Sequence, residues 1–268
     1  MIILDLKGGL ANQMFIYALY EKLKSLGMNI KCNSHTHVAN YPFKYELDKF
    51  PNVRIDFADA EEIDELRKYS QLIYNSTSFW EKIFYVDDET YLECFFQSEL
   101  YFKDIRDAIL DRFMFPELTD KRNIEYMNNI DITNSVSIHI RRGDYLADCH
   151  VKLYGNICTL DYYQKAIEYF ENKYGDVDFF VFSNDIEWTK QNISAKKIHY
   201  VEGNENNNIA DMHLMSKCKH NIIANSTYSW WGAWLNQNPN KEVIAPDKWY
   251  NKDWKVDIWC EGWHRIKG

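Results

Sequence analysis

From residue 135 to the C-terminus, short apolar runs alternate with stretches of helical periodicity. Residues 136–140 precede a helical pattern at 160–174, residues 179–182 precede 185–192, and residues 197–201 precede 208–217. Residues 221–224 lead to 227–235, and 242–245 lead into an aromatic tail. Parallel strands need a crossover between them, usually a helix. Repeated β–α units therefore predict a parallel sheet covered on both faces and exclude all-β and bundle architectures. On the longest helix the inner face reads Leu160, Tyr163, Ile167 and Phe170, with Gly175 as its stop.

The first half follows the same grammar less regularly. A strand at 2–5 leads through a loop at 6–12, carrying Gly8-Gly9, to Phe15, Ala18, Leu19, Leu23 and Leu26 at helical spacing, with Gly27 as the stop. A strand near Ile30, an acidic-started helix at 59–69, a strand at 91–96 and an amphipathic helix at 100–113 follow. The polar stretch 116–134 reads as a connection. With 268 residues the chain suits two domains, 1–133 and 134–268, facing each other across a central cleft.

Where those strands end, polar residues gather. SVSIHIRRGDY at 135–145 ends a buried strand in Arg141 and Arg142, followed by Gly143 and Asp144. Ligands of open α/β sheets bind beyond the carboxyl ends of the strands. Guanidiniums there match phosphate oxygens; the bland alternative is a structural Arg–Asp pair. FFVFSND at 179–185 stops at Ser183 and Asn184. NIIANSTYSWWGAWL at 221–235 passes through Asn225, Ser226 and Thr227 into a helix, where hydroxyls, backbone N–H groups and the helix dipole suit an anion or serve as a plain cap. Asp211, near the start of the 208–217 helix, can accept from a purine edge or simply favour the helix N-terminus.

Charge narrows the partners. The chain carries 31 basic and 40 acidic residues, a net charge of −9, which opposes general nucleic-acid binding. An anion site must then be a local basic focus. Six scattered cysteines form no C-x-x-C pair and read as reduced and mostly buried; Cys149-His150 near Cys158 matches no common zinc spacing. The N-terminus enters a strand directly and no window approaches a membrane span, so the expected location is cytoplasmic. Without export, the sequons at Asn75, Asn192 and Asn225 carry no glycosylation meaning. His35-Thr36-His37 is short and isolated, and reads as surface. Gly8-Gly9-Leu10-Ala11-Asn12-Gln13 invites a phosphate-loop reading but lacks the lysine and hydroxyl of that motif.

KGGLANQMFIYALYEKL, SIHIRRGDY, FVFSND and ADMHLMSKCKHNIIANSTYSWWGAWL, in that order, resemble the blocks of bacterial α-1,2-fucosyltransferases over the whole chain. One departure is Ala11, where that family usually has glycine. The resemblance implies a GT-B-type fold of two Rossmann-like domains, GDP-fucose as donor, a β-galactoside 2-hydroxyl such as that of lactose as acceptor, inversion, and no metal or other cofactor. It implies that His139, Arg141 and Arg142 form the donor block, with Arg141 on the diphosphate. Asp211 would contact guanine, and Ser226 and Thr227 the β-phosphate. Ser183, Asn184 and Asn225 complete the donor set, while Asn12 and Gln13 reach the cleft from the acceptor side. Asp144 is the candidate catalytic carboxylate beside Arg141, and Asp148 an alternative base. Peripheral membrane contact through a lipid-linked acceptor stays open. Two rival readings are a non-catalytic nucleotide-sugar or carbohydrate binder, and a metal-dependent transferase using Asp176 and Asp178. That D-x-D precedes its strand and reads as a solvated turn.

Overall fold

A computed structural model describes residues 1–35, 38, 40–73 and 77–268 and divides the chain into two units. Unit 1 comprises Met1–Pro116 with Lys255–Ile258, and unit 2 comprises Glu117–Trp254 with Trp259–Gly268.

In unit 1, β1 (Ile2–Asp5), β2 (Ile30–Asn33), β3 (Gln71–Ile73) and β4 (Thr90–Glu93) form a parallel sheet in the order β2-β1-β4-β3. The apolar run Ile2, Ile3 and Leu4 is fully buried, as a strand covered on both faces requires. Helix α1 (Leu10–Ser25) follows β1 directly. Helix α2 (Ala60–Ser70) starts in a capping box, Asp59 accepting from Glu62 N while Glu62 accepts from Asp59 N. The helix expected at 100–113 is broken. Two single 3₁₀ turns, Glu99–Tyr101 and Lys103–Ile105, precede α3 (Arg106–Arg112). Phe102, with a φ of −148° and a ψ of 4°, is not helical and separates them, and both Tyr101 and Phe102 are buried.

In unit 2, α4 (Lys121–Ile132) precedes β5 (Ser135–Ile140). There follow α5 (Asp148–Tyr154), α6 (Leu160–Tyr174), β6 (Asp178–Ser183), α7 (Ile186–Asn192) and β7 (Ile198–Tyr200). The chain continues through α8 (Asn208–Lys217), β8 (His220–Ile222), α9 (Thr227–Leu235), β9 (Val243–Pro246) and β10 (His264–Ile266). The sheet is parallel throughout, ordered β10-β9-β8-β5-β6-β7. All six residues of β5 are buried, as befits a central strand. Val136, Ile138 and Ile140 pack with Tyr162, Tyr163, Ala166, Ile167 and Phe170 of α6. Leu160, expected inside, is 46% exposed because it is the first residue after the Thr159 cap.

The division between units falls at 116/117, where the sequence suggested 133/134. The stretch read as a connection holds α4, whose Asp120 cap accepts from Arg122 N and Asn123 N, and whose Asn123 bonds Asn204 of unit 2. Strand β10 lies in the tail read only as aromatic. All six cysteines are free; Cys149 is exposed, Cys158 half-buried and the other four buried. Among the described residues no helix is long and apolar enough to cross a membrane.

At the amino end of β9, Glu242 accepts from Lys173 Nζ at 2.6 Å, from Tyr169 Oη at 2.5 Å and from Tyr174 Oη. Burial acts to raise its pKa, but these hydrogen bonds outweigh it and bring the carboxyl down to about 2. A lowered carboxyl pKa stabilises the fold above its unfolded value near 4.5, and that contribution is lost as pH falls through about 2. Glu242→Gln should cost about 1–2 kcal/mol at pH 7, after allowing for solvent screening. Urea melts should show the gap to wild type narrowing by about pH 3. A gap independent of pH would contradict this role.

Candidate active site

The order of the unit 2 sheet reverses between β5 and β8. From β5 the chain steps outward to β6 and β7, then returns to place β8 on the other side. Such a switch point opens a crevice at the carboxyl ends of the two strands. Residues 141–145 leave β5 there, and residues 223–227 leave β8.

Arg141 Nη2 lies 2.9 Å from Asp144 Oδ1, and its guanidinium lies 5.7 Å from the Tyr145 ring centroid. Its side chain keeps a third of its surface exposed. Tyr145 Oη donates to Asn225 O at 3.0 Å, tying the arginine loop to the loop after β8. Ser226 stands at the N-cap of α9, yet its side chain makes no capping hydrogen bond. A helix N-terminus with a hydroxyl not spent on capping, beside a partly exposed arginine, suits an anion. His139, one strand position before Ile140, is buried, with Nδ1 lacking a hydrogen-bond partner. Burial, then Arg141, push its pKa down to about 3, so the imidazole is neutral. Its ring lies 5.4 Å from that of Tyr228 in the first turn of α9, and Tyr228 Oη donates to Asn208 O at the start of α8. Tyr228 thereby links the strand that ends before Arg141 to α8, whose first turn carries Asp211.

Several residues expected in the donor set also make bonds within the scaffold. Arg142 stacks on Trp188, 3.6 Å from the ring centroid, and its Nε donates to Asp185 Oδ2 at 3.0 Å. Asn184 Oδ1 accepts from Arg142 N at 2.9 Å, and Ser183 Oγ accepts from Asp185 N at 3.0 Å. Asn225 is buried, donating to Tyr154 O and Trp249 O while Oδ1 accepts from Cys158 Sγ. Asp144 holds Arg141, which makes it a positioning carboxylate. Asp176 and Asp178 sit before and at the amino end of β6, paired with Lys197 and His199 and away from the crevice.

Gly143 shows how closely this loop is built. Its φ is +34°, and a Cβ there would lie 2.3 Å from Asn184 Nδ2. Gly143→Ala should lower stability by about 1–2 kcal/mol and lower activity with it. Adding Asn184→Ala relieves the clash but not the dihedral, so it should recover part of the loss. An unchanged melting temperature for Gly143→Ala would show that the loop tolerates displacement.

Unit 1 treats its own glycine loop differently. Leu10 N at the start of α1 donates to Glu46 Oε1 at 3.1 Å, so a carboxylate of the chain occupies that helix N-terminus. Gln13, expected to reach a cleft, is 2% exposed. It donates to Gly8 O and Lys44 O and accepts from Glu46 N, stitching the loop shut. Asn12 is half-buried and accepts from Gln97 Nε2 at 2.9 Å. His35, read as surface, is 4% exposed: its Nε2 lies 2.7 Å from Asp5 Oδ1 and its ring stacks on Tyr41 at 3.9 Å. Thr36, His37 and the sequon at Asn75 lie outside the described residues.

Sequence reasoning passed over Tyr145, Tyr228, Asn123 and Asn204. Tyr145 and Tyr228 adjoin the recognised motifs, so position was the available signal. The asparagines carry no local pattern.

Two Rossmann-like units of parallel strands and helices, with an anion-suited crevice in one of them, make up a GT-B-type fold. The chain belongs to glycosyl transferase family 11, which matches residues 1–267. It is 33% identical over 296 aligned positions to the O-antigen biosynthesis glycosyltransferase WbnK of Escherichia coli, covering 96% of this chain and 98% of that protein. An alpha-1,2-colitosyltransferase of the same organism is 31% identical, with 99% of each chain covered. The galactoside alpha-(1,2)-fucosyltransferase 2 of Bos taurus is 27% identical over 52% of this chain and 42% of its own. Among solved structures, POFUT1 in complex with GDP-fucose superposes with a TM-score of 0.53 at 10% identity, covering 91% of this chain and 97% of that one.

Proposed function

We propose that this glycosyltransferase moves L-fucose from GDP-fucose to the 2-hydroxyl of a terminal β-galactoside, with inversion and without a metal. The observation that carries the reading is the meeting, at the β5/β8 switch point, of the loop that carries Arg141 with the loop that leads into α9, the two tied by Tyr145 Oη to Asn225 O. Attack by the acceptor oxygen on the anomeric carbon forms one C–O bond as the sugar–phosphate bond breaks. The departing diphosphate gains negative charge, and in this reading Arg141, Ser226, Thr227 and the α9 N–H groups receive it. The acceptor proton leaves late, so a weak base suffices; Asp148 is the nearest carboxylate in sequence not engaged with Arg141. Neutral His139 adds no charge of its own to the crevice.

The names of the relatives support this reading and also favour a second donor sugar, colitose. Incubation with lactose and the GDP conjugate of either sugar, in the presence of a strong chelator, separates the readings. Release of GDP matched by an α-1,2-linked fucosyl product supports the proposal. Turnover with the colitose conjugate alone would replace the donor sugar. Activity lost in chelator and restored by Mn²⁺ would show that the diphosphate needs a metal. GDP binding without transfer to any of a panel of galactosides would favour a non-catalytic binder.

A further inference from the structure

We propose that Asn204 and Asn123 are positioning residues that present the Asp211 carboxylate to the N1–H and 2-amino donors of a guanine base. The inference rests on the reading of the chain as a GDP-sugar transferase.

Asp211 lies in the first turn of α8 and is half-buried. Asn204 Nδ2 donates to its Oδ1 at 2.7 Å. The same Nδ2 donates to Asn123 Oδ1 at 2.8 Å, and Asn123 Nδ2 returns a bond to Asn204 Oδ1 at 2.8 Å. Both asparagines are buried, at 8% and 2% exposure. Each Asn204 amide hydrogen and its carbonyl oxygen are thereby used, so its orientation is fixed with donors toward the carboxylate. Among the described residues no hydrogen bond reaches Asp211 Oδ2, which is left to accept. The loop carrying Asn204 is held to α4 as well: Gly203 has a φ of +85°, and a Cβ there would lie 2.1 Å from Arg122 Nη1. This is a physical reason for α4 to belong to unit 2.

A carboxylate recognises guanine by accepting from two adjacent donors, whereas adenine presents an acceptor at N1. The placement fits the rest of the site, because Tyr228 links the start of α8 to His139 on the strand that ends in Arg141. A base at Asp211 and a diphosphate at Arg141 thus fall along one crevice.

A consequence in pH follows. Burial pushes the Asp211 carboxyl up to about 7; the Asn204 bond opposes this and Glu205 adds to it. Arg122 on α4 is engaged with Asp120 and Gly203 O. His213 and Lys217 lie further along α8, and α9 presents the uncharged Tyr228. Accepting from guanine requires the ionised form, so GDP binding below that pKa must expel a proton. Affinity should therefore rise with pH and level off above about 7.

Calorimetric titration with GDP and inosine diphosphate, which lacks the 2-amino group, tests this from about pH 6 to about pH 8.5. Wild type should prefer GDP and bind it about tenfold more tightly at the upper end. Asn204→Ala should weaken GDP about tenfold near neutrality, move the rise to higher pH and reduce the preference over inosine diphosphate. Asn123→Ala should act in the same direction more weakly, and Asp211→Asn should abolish the pH dependence. Melting curves establish that each variant is folded. A merely structural role would lower the melting temperature while leaving the pH profile and base preference intact, and that result overturns the inference. If wild type binds ADP or UDP as tightly as GDP, the donor reading itself fails. If it selects GDP and Asn204→Ala keeps the wild-type profile, only the positioning role fails.

Discussion

Arg141→Lys is expected to reduce kcat almost as far as Arg141→Ala, by about a hundred- to a thousandfold, or about 2.7–4 kcal/mol. Lysine keeps the charge but loses the planar fork and its parallel hydrogen bonds to phosphate oxygens. The loss should fall mainly in kcat because charge on the leaving diphosphate grows toward the transition state. Magnitudes separate this from a structural role. The ion pair with Asp144 is partly exposed on both sides, and such pairs contribute about 0–1 kcal/mol to stability. Both variants should therefore melt close to wild type while turning over far more slowly. A folded Arg141→Ala enzyme with near-normal kcat would mean that the guanidinium only braces its loop.

Trp230→Ala should destabilise unit 2 by about 3–5 kcal/mol, the largest stability effect expected from a single side chain. Trp230 is fully buried in the second turn of α9. Its ring meets Trp231 edge-on at 5.0 Å, stacks on Trp234 at 6.1 Å and tilts against Trp263 at 5.8 Å. A helix apolar on nearly every side must be enclosed, and these rings enclose it. Trp230→Phe should cost less, about 1–3 kcal/mol, because part of the cavity stays filled. Urea midpoints for the two variants give the comparison. Equal, small losses would show that the cluster re-packs around the gap.

Around α9 the tryptophans are thus spent on packing. What was legible in the sequence was whatever depended on local pattern. The bounds of α6, α8 and α9 follow from apolar spacing and from caps such as Thr159 and Asn207. The strand end at Ile140 follows from an apolar run stopped by polar residues, whereas β8 ends at Ile222, two residues before the apolar run at 221–224 does. The rest depended on distant partners. Whether Gln13 faces a ligand or bonds Gly8 O and Lys44 O is decided by a segment more than thirty residues away. Arg142 and Arg141 are neighbours of the same type, and only Trp188 and Asp185 make one structural. The polar α4 looks like a linker until Asn123 meets Asn204, 81 positions on.

The most direct test of the account is the structure of the protein with GDP bound. The prediction is that the phosphates lie at the N-terminus of α9 within hydrogen-bonding reach of Arg141 and Ser226, with guanine toward Asp211. Phosphates seated instead on the Leu6–Gln13 loop of unit 1, displacing Glu46 from the start of α1, would contradict it.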